Sequence, residues 1–411
     1  MPFLLAPVFA QLITIGVQDR TEARHVALND RHYEAQTTPN AKLTLSWKHT
    51  DLSLRYGTSF LVLPLESPTR RDLLVYQTAG FDWIYRLRRT TFTFSDTTSY
   101  GEQNFQTLAL NNPATAAAEQ PTDTPTEPAP TPMPGQPVPG TVQQVKLLNR
   151  TVRNVTSMTS LNVTHKASRR WQYGGTALYS LSGGATRSAQ RDYPLVRGIS
   201  FTLFGTYTTK LSTHDALVLN GSVLDTWSSN DNHATTGSVI ETWQHAFSRQ
   251  SFSYLGGGLS LLRQSLNTGL IAYTIFPTAL AGLGHEERLG RKGALTLQLG
   301  VFSVPVPDQL RGTVDPRVGA NGLVAFTRER FRTAVTGSAA ASLAERGNDA
   351  GAVEGYAASS VTSYQFTDWL GAELGGRLAK QIYQRQTLLP LSYGIFVALT
   401  FGYDWKLGGR H

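Results

Sequence analysis

Charged side chains recur at alternate positions of otherwise neutral stretches: Lys42, Lys48 and Arg55, then Asp82 and Arg86, then Lys210, then Glu373 and Arg377. Their parity is shared mainly with Ser, Thr and Gly, while the other parity is mainly apolar. A two-residue period puts such side chains on one face of a strand. If the strands close into a ring with that face inward, these eight residues line a lumen. Six are cations and two are acids. Rings of basic side chains attract anions and repel cations. The alternative is that opposite charges pair across strands and stiffen the wall. Both readings stand on the sequence alone.

Other chemistry is thin. There is no G-x-S-x-G turn for a nucleophilic serine. His285-Glu286-Glu287-Arg288 lacks the second histidine of a zinc-binding helix, and no two of the nine histidines are spaced i, i+4. With no cysteine there is neither a disulfide framework nor a thiolate metal site. The expectation is no catalytic set, no metal and no cofactor. A barrel enzyme acting on lipid stays as a third class, because such sites assemble in space. The net charge of +8 comes from dispersed Lys and Arg without a long basic run, which argues against nucleic acid as a partner.

The elements that would hold the eight charges are strands of about ten residues broken by turns. In Ala41–His49, Leu43, Leu45 and Trp47 oppose Lys42, Thr44, Ser46 and Lys48; after a turn, Leu52, Leu54 and Tyr56 oppose Ser53, Arg55 and Gly57. Phe81, Trp83 and Tyr85 oppose Gly80, Asp82 and Arg86. The last strand sets Tyr393, Ile395, Val397, Leu399, Phe401, Tyr403 and Trp405 on one face, with Phe396 as the exception on the other. An apolar run ending in aromatics fits a lipid-facing band with an interfacial girdle. Two stretches, Thr236–Phe247 and Leu270–Gly284, show no clean parity.

Charged residues are only 16% of the chain, against about 25% in soluble domains, and no segment is long and apolar enough for a transmembrane helix. Short connections are expected near Thr50, Arg88–Thr90, Ser168–Arg170, Ser212–His214, Arg249–Gln250, Gly290–Gly293, Arg328–Arg332 and Thr367–Asp368, with longer ones between them. The fold expected is all-β, a transmembrane antiparallel up-and-down barrel of about 18 strands, 16 being also tenable. It would occupy residues 11–405. Residues 1–10 are apolar and read as the remnant of a signal peptide, and 406–411 as a periplasmic tail. Residues 111–141 carry nine prolines and no Lys or Arg, the composition of a disordered loop, placed outside the cell.

Thr14-Ile-Gly-Val-Gln-Asp-Arg-Thr-Glu-Ala-Arg24, Leu43-Thr-Leu-Ser-Trp-Lys48, Asp51-Leu-Ser-Leu-Arg-Tyr56 and Thr98-Ser-Tyr-Gly-Glu-Gln-Asn-Phe105 together resemble outer-membrane barrels encoded with polysaccharide-export systems in social, predatory soil bacteria. The resemblance implies a passage through which a growing polysaccharide crosses the Gram-negative outer membrane. It also implies a separate periplasmic polysaccharide-export protein as partner, and no catalytic residue. Outer-membrane lipid and the barrel-assembly machinery are the partners any such barrel implies. The competing expectation is a general or anion-preferring diffusion porin for small solutes.

Overall fold

A computed structural model describes residues 12–27, 31–63, 72–104, 151–192, 195–229, 231–290, 292–308, 313–342, 353–383 and 386–407. Residues 1–10, the proline-rich 111–141 and the end of the chain beyond Leu407 lie outside the described residues. The described residues form one antiparallel sheet of 19 segments, β1 (Leu12–Ala27) to β19 (Gln386–Leu407), in which successive strands pair once the second and third segments are taken as one strand. β19 pairs with β1 from Ile13↔Leu407 to Ala27↔Tyr393, which closes the ring.

β2 (Arg31–Thr37) and β3 (Asn40–Ser46) are two runs of one strand, both paired to β1 and to β4 (Thr50–Leu63). Between them stand Thr38 and Pro39, and Pro39 has no N–H to give the ladder. The backbone spans the gap through Thr38 N–H to Arg20 C=O and Thr58 N–H to Pro39 C=O, each 3.0 Å. The ring is therefore a closed, up-and-down, 18-stranded barrel. A ring of this size leaves an aqueous interior that side chains do not fill.

All eight expected short turns are present, and all lie at one end, with Leu12 and Leu407. Four share one local device. Ser168, Ser212, Ser248 and Thr367 each accept, on the side-chain oxygen, the N–H groups two and three residues on. A hydroxyl thus replaces a backbone carbonyl and fixes the reversal. At the opposite end not every connection is long. Two connections here are closed tightly, by Ser228 N–H to Asn232 C=O and by Leu266 N–H to Leu270 C=O, with Asp231 and Gly269 at positive φ. The short helix α1 (Arg187–Asp192) caps this end, where buried Ala189 meets Gly184.

The outer wall is mainly apolar, although Asp19, Asp96 and Glu241 share its parity. Leu203, Leu255, Leu259, Ile275, Leu299 and Leu399 are all more than half exposed in the isolated chain. Trp83, Tyr85, Trp171, Tyr173, Trp243, Trp369, Tyr403 and Trp405 ring the short-turn end, and Tyr33, Tyr100, Tyr179, Trp227, Tyr356 and Tyr393 lie toward the loop end. Tyr356 and Tyr364 lie on one strand, eight residues apart in sequence, and Tyr393 and Trp405 twelve apart. At 3.3 Å per residue and a tilt near 40° those spacings bracket about 25 Å, the height of a lipid-facing band. No helix is long and apolar enough to cross a membrane; the strands make the crossing.

Candidate functional site

The inner wall is stitched by hydroxyl and amide pairs across strands. Thr44–Ser53, Ser95–Ser160, Ser238–Ser260 and Thr336–Ser359 lie 2.6–3.0 Å apart, and Asn162 Nδ2 donates to Thr176. Such pairs satisfy one another and still offer lone pairs and protons to the lumen.

Among the described residues, charge on this wall is confined to one arc, β18 (Leu370–Tyr383) through β19 and β1 to β5 (Asp72–Arg86), apart from residues at strand ends and Arg317 on β15 (Thr313–Arg328). β1 presents Gln18, Arg20, Glu22 and Arg24 inward, opposite Gly402, Thr400, Ala398 and Phe396. Arg20 Nε donates to Glu373 Oε2 at 2.9 Å and its Nη1 pairs with Glu22. Arg24 bridges Glu22, at 3.3 Å, and Glu34, at 2.5 Å. Glu22, Arg24 and Glu34 are buried, at 3%, 6% and 1% exposure. Removing one member of such a set would leave an uncompensated buried charge.

Phe396, the odd aromatic of the last strand, belongs to this cluster. The guanidinium carbons of Arg20 and Arg377 stand 5.0 and 4.9 Å from its ring centroid, within the range of a cation–π contact. Its ring lies over Gly375 of β18, where a Cβ would overlap it. Beside it a recess of about 270 Å³ opens into the wall, lined by Thr336, Ser359, Ser363, Gln365, Thr400, Arg20, Arg332, Glu373, Arg377 and Phe396. Hydroxyl, amide, carboxylate and guanidinium groups thus converge on one aromatic side chain.

The sequence-expected lumen residues divide. Arg55 and Asp82 meet at 2.7 Å, on neighbouring strands. Arg86 ends β5 and pairs with Asp51 at 2.5 Å. Glu373 and Arg377 both border the recess, Glu373 on Arg20 and Arg377 on Phe396. Lys42 faces inward between Gly16 and Arg55 and is exposed to the lumen. Lys48 is not on the wall: β3 stops at Ser46, Trp47 N–H bonds to Thr50 C=O, and Lys48 sits in the turn so formed. Lys210 is the last residue of its strand, at the short-turn rim. The pairing reading therefore holds for Arg55, Asp82, Arg86 and Glu373.

Arg20, Glu22, Arg24, Glu34 and Asp51 were absent from the sequence-derived set. The signal was present in β1: three charges of alternating sign at i, i+2 and i+4, all on one face. Among the described residues no group of three His, Asp or Glu side chains is placed to hold a metal ion.

A closed barrel with an apolar outer band and a hydroxyl-rich lumen is a transmembrane β-barrel of porin-like architecture. Residues 81–385 match the EpsX exopolysaccharide export family, and the chain belongs to that family. No curated protein sequence matches it. Among solved structures it is similar to the apoprotein form of the FrpB iron transporter from Neisseria meningitidis (F5-1 variant), at 9% identity and a TM-score of 0.51, covering 90% of this chain and 61% of that one. The F3-3 variant of FrpB gives 9% identity and a TM-score of 0.49, covering 89% of this chain and 62% of that one. OccAB3 from Acinetobacter baumannii gives 10% identity and a TM-score of 0.46, covering 96% of this chain and 99% of that one. The chain spans about three fifths of the FrpB chains. At these identities the likeness speaks to fold alone.

Proposed function

We propose that the barrel is a passage by which a secreted polysaccharide crosses the outer membrane, and that it carries out no covalent step. The observation that carries this reading is the recess at Phe396. A sugar presents many hydroxyls and a weakly polar ring face, and this wall offers Thr336, Ser359, Gln365 and Thr400 beside an aromatic side chain. Water-accessible hydroxyls exchange hydrogen bonds with a moving chain at little net cost, because each bond broken is replaced by another or by water. Membership of an exopolysaccharide export family supports the same reading.

In this reading the short-turn end faces the periplasm and the loop end faces out. A tag at Asn267 is then accessible on intact cells, and one at Arg169 only after the outer membrane is permeabilised. The driving force comes from synthesis and export upstream, relayed by a separate periplasmic polysaccharide-export protein. Barrel-assembly machinery inserts the chain among outer-membrane lipids.

A deletion strain tests the function. It should lose one surface or secreted polymer while uptake of small solutes stays normal. Normal polymer secretion with impaired uptake of a small anion would replace this reading with that of a diffusion porin.

A further inference from the structure

Among the described residues, the ladder between two neighbouring wall strands stops short of the loop end. β13 (Ile271–Arg288) pairs with β14 (Gly293–Asp308) only from Arg288↔Ala294 to Ala279↔Ser303. Beyond Ser303 the β14 leg pairs only with β15, from Val304↔Arg317 to Asp308↔Thr313. The described pairing of β15 with β16 (Phe331–Ser342) begins at Arg317↔Ser342. Among the described residues, then, 304–308 and 313–316 form a hairpin arm whose β14 leg has left β13; the residues that would continue β16 beside its β15 leg lie outside the described residues.

Proline accounts for the parting. Continuing the β13–β14 register would set Pro305 against Pro277, and Pro307 and Pro316 stand in the two legs of the arm. None of the four has an N–H for a ladder. The parting begins ten residues above the short-turn end of β13, about 25 Å up a tilted strand.

The arm turns inward. Val314 is fully buried and clusters with Ala234 of β11 (His233–Ala246) and Leu262 of β12 (Ser251–Ser265), with Leu224 packed alongside. The Gln264 side-chain amide donates to the Val314 carbonyl. β15 is not a ring neighbour of β11 or β12, so this contact crosses the inside of the barrel.

We propose that this arm is a gate on the passage. Seated on Ala234, Leu262 and Gln264 it narrows the loop-end mouth, and it lifts from that seat to let a chain-like solute through. The proposal rests on the barrel being a passage. Among the described residues the seat is the Val314 side chain against Ala234, Leu262 and Leu224 and its carbonyl against Gln264, whereas the wall strands below the parting are held by continuous ladders, so the arm parts from its seat before the wall opens.

The test uses the full chain, which has no cysteine of its own. Val314→Cys with Leu262→Cys should form a disulfide in native membranes. Oxidised protein in planar bilayers should hold the lower conductance, and a reductant should restore excursions to a higher level. Replacing 305–315 by a short Gly-Ser turn, or Val314→Asp, should raise mean conductance on the order of twofold. Heat-modifiable mobility on gels confirms that each variant is a folded barrel. Failure to cross-link, or equal conductance in oxidised, reduced and shortened forms, would overturn the gate. A wild type and a shortened form that both carry no current would overturn the passage reading, and the gate with it.

Discussion

The two sides of the lumen are built differently. From β18 through β1 to β5 the inner wall holds paired charges: Arg20 with Glu373 and Glu22, Arg24 with Glu34, Arg55 with Asp82, and Arg86 with Asp51. From β6 (Thr90–Asn104) to β12 no Asp, Glu, Lys or Arg among the described residues faces inward except at strand ends. That wall carries Thr, Ser and Asn, with Ala234, Ile240 and Leu262 buried toward the loop end. Ion pairs cross-link the charged arc. The neutral arc offers hydroxyls to the lumen and an apolar seat to the β14–β15 arm. The outer wall does not share the division, since Leu203 beside the neutral arc and Leu399 beside the charged one are both exposed.

The largest effect separating the arcs should follow loss of one buried charge. Arg24→Met removes the guanidinium that Glu22 and Glu34, both almost fully buried, share, while Glu22 keeps its contact with Arg20. Breaking a buried pair in this way costs about 3–5 kcal/mol. On the neutral arc, Ser238→Ala removes one hydroxyl bond to Ser260, at a cost of about 1 kcal/mol. Urea unfolding followed by heat-modifiable gel mobility compares the two. Equal losses would mean that the charge network does not set the rigidity of its arc.

A charge on the lipid face should cost about 2–4 kcal/mol near the midplane in either arc. Leu203→Arg and Leu399→Arg should therefore lose similar amounts of folded barrel, while Thr44→Arg and Thr400→Arg, which point into the lumen, lose much less. A marked difference between Leu203→Arg and Leu399→Arg would show that the division between arcs extends through the wall.

The barrel was legible because lipid outside and water inside impose one alternation on most strands. The short turns were legible as well, since Ser168, Ser212, Ser248 and Thr367 act locally. Thr236–Phe247 and Leu270–Gly284 were not, for a reason outside their own sequence. Inward Ile240 and Phe276 are buried, and nearby Ala234 and Leu262 are covered by Val314 from β15, so apolar residues appear on both faces. The lumen charges were half legible. Parity identified which face Arg55 and Glu373 occupy, but their partners lie 27 and 353 residues away in sequence, and only closure of the ring brings β1 to β18.

The smallest effect concerns the sign of the lumen. Before pairing is counted, six cations against two acids call for anion preference. In the folded wall Arg55, Arg86 and Arg20 are matched by Asp82, Asp51 and Glu373, and Lys48 stands in a turn. Lys42 remains inward and exposed on the charged arc, so anion selectivity in a salt gradient should be weak. Screening should erase it at high salt, where the Debye length falls to about 3 Å at 1 M. Lys42→Gln should abolish the weak preference. Arg55→Gln leaves Asp82 uncompensated and should turn it toward cations. Neither variant touches the recess at Phe396 or the hydroxyl-lined neutral arc, so passage of an uncharged oligosaccharide, read as transient block of ionic current, should not change. If block changes together with selectivity in Arg55→Gln, the path of the sugar extends from the recess at Phe396 to the Arg55–Asp82 pair.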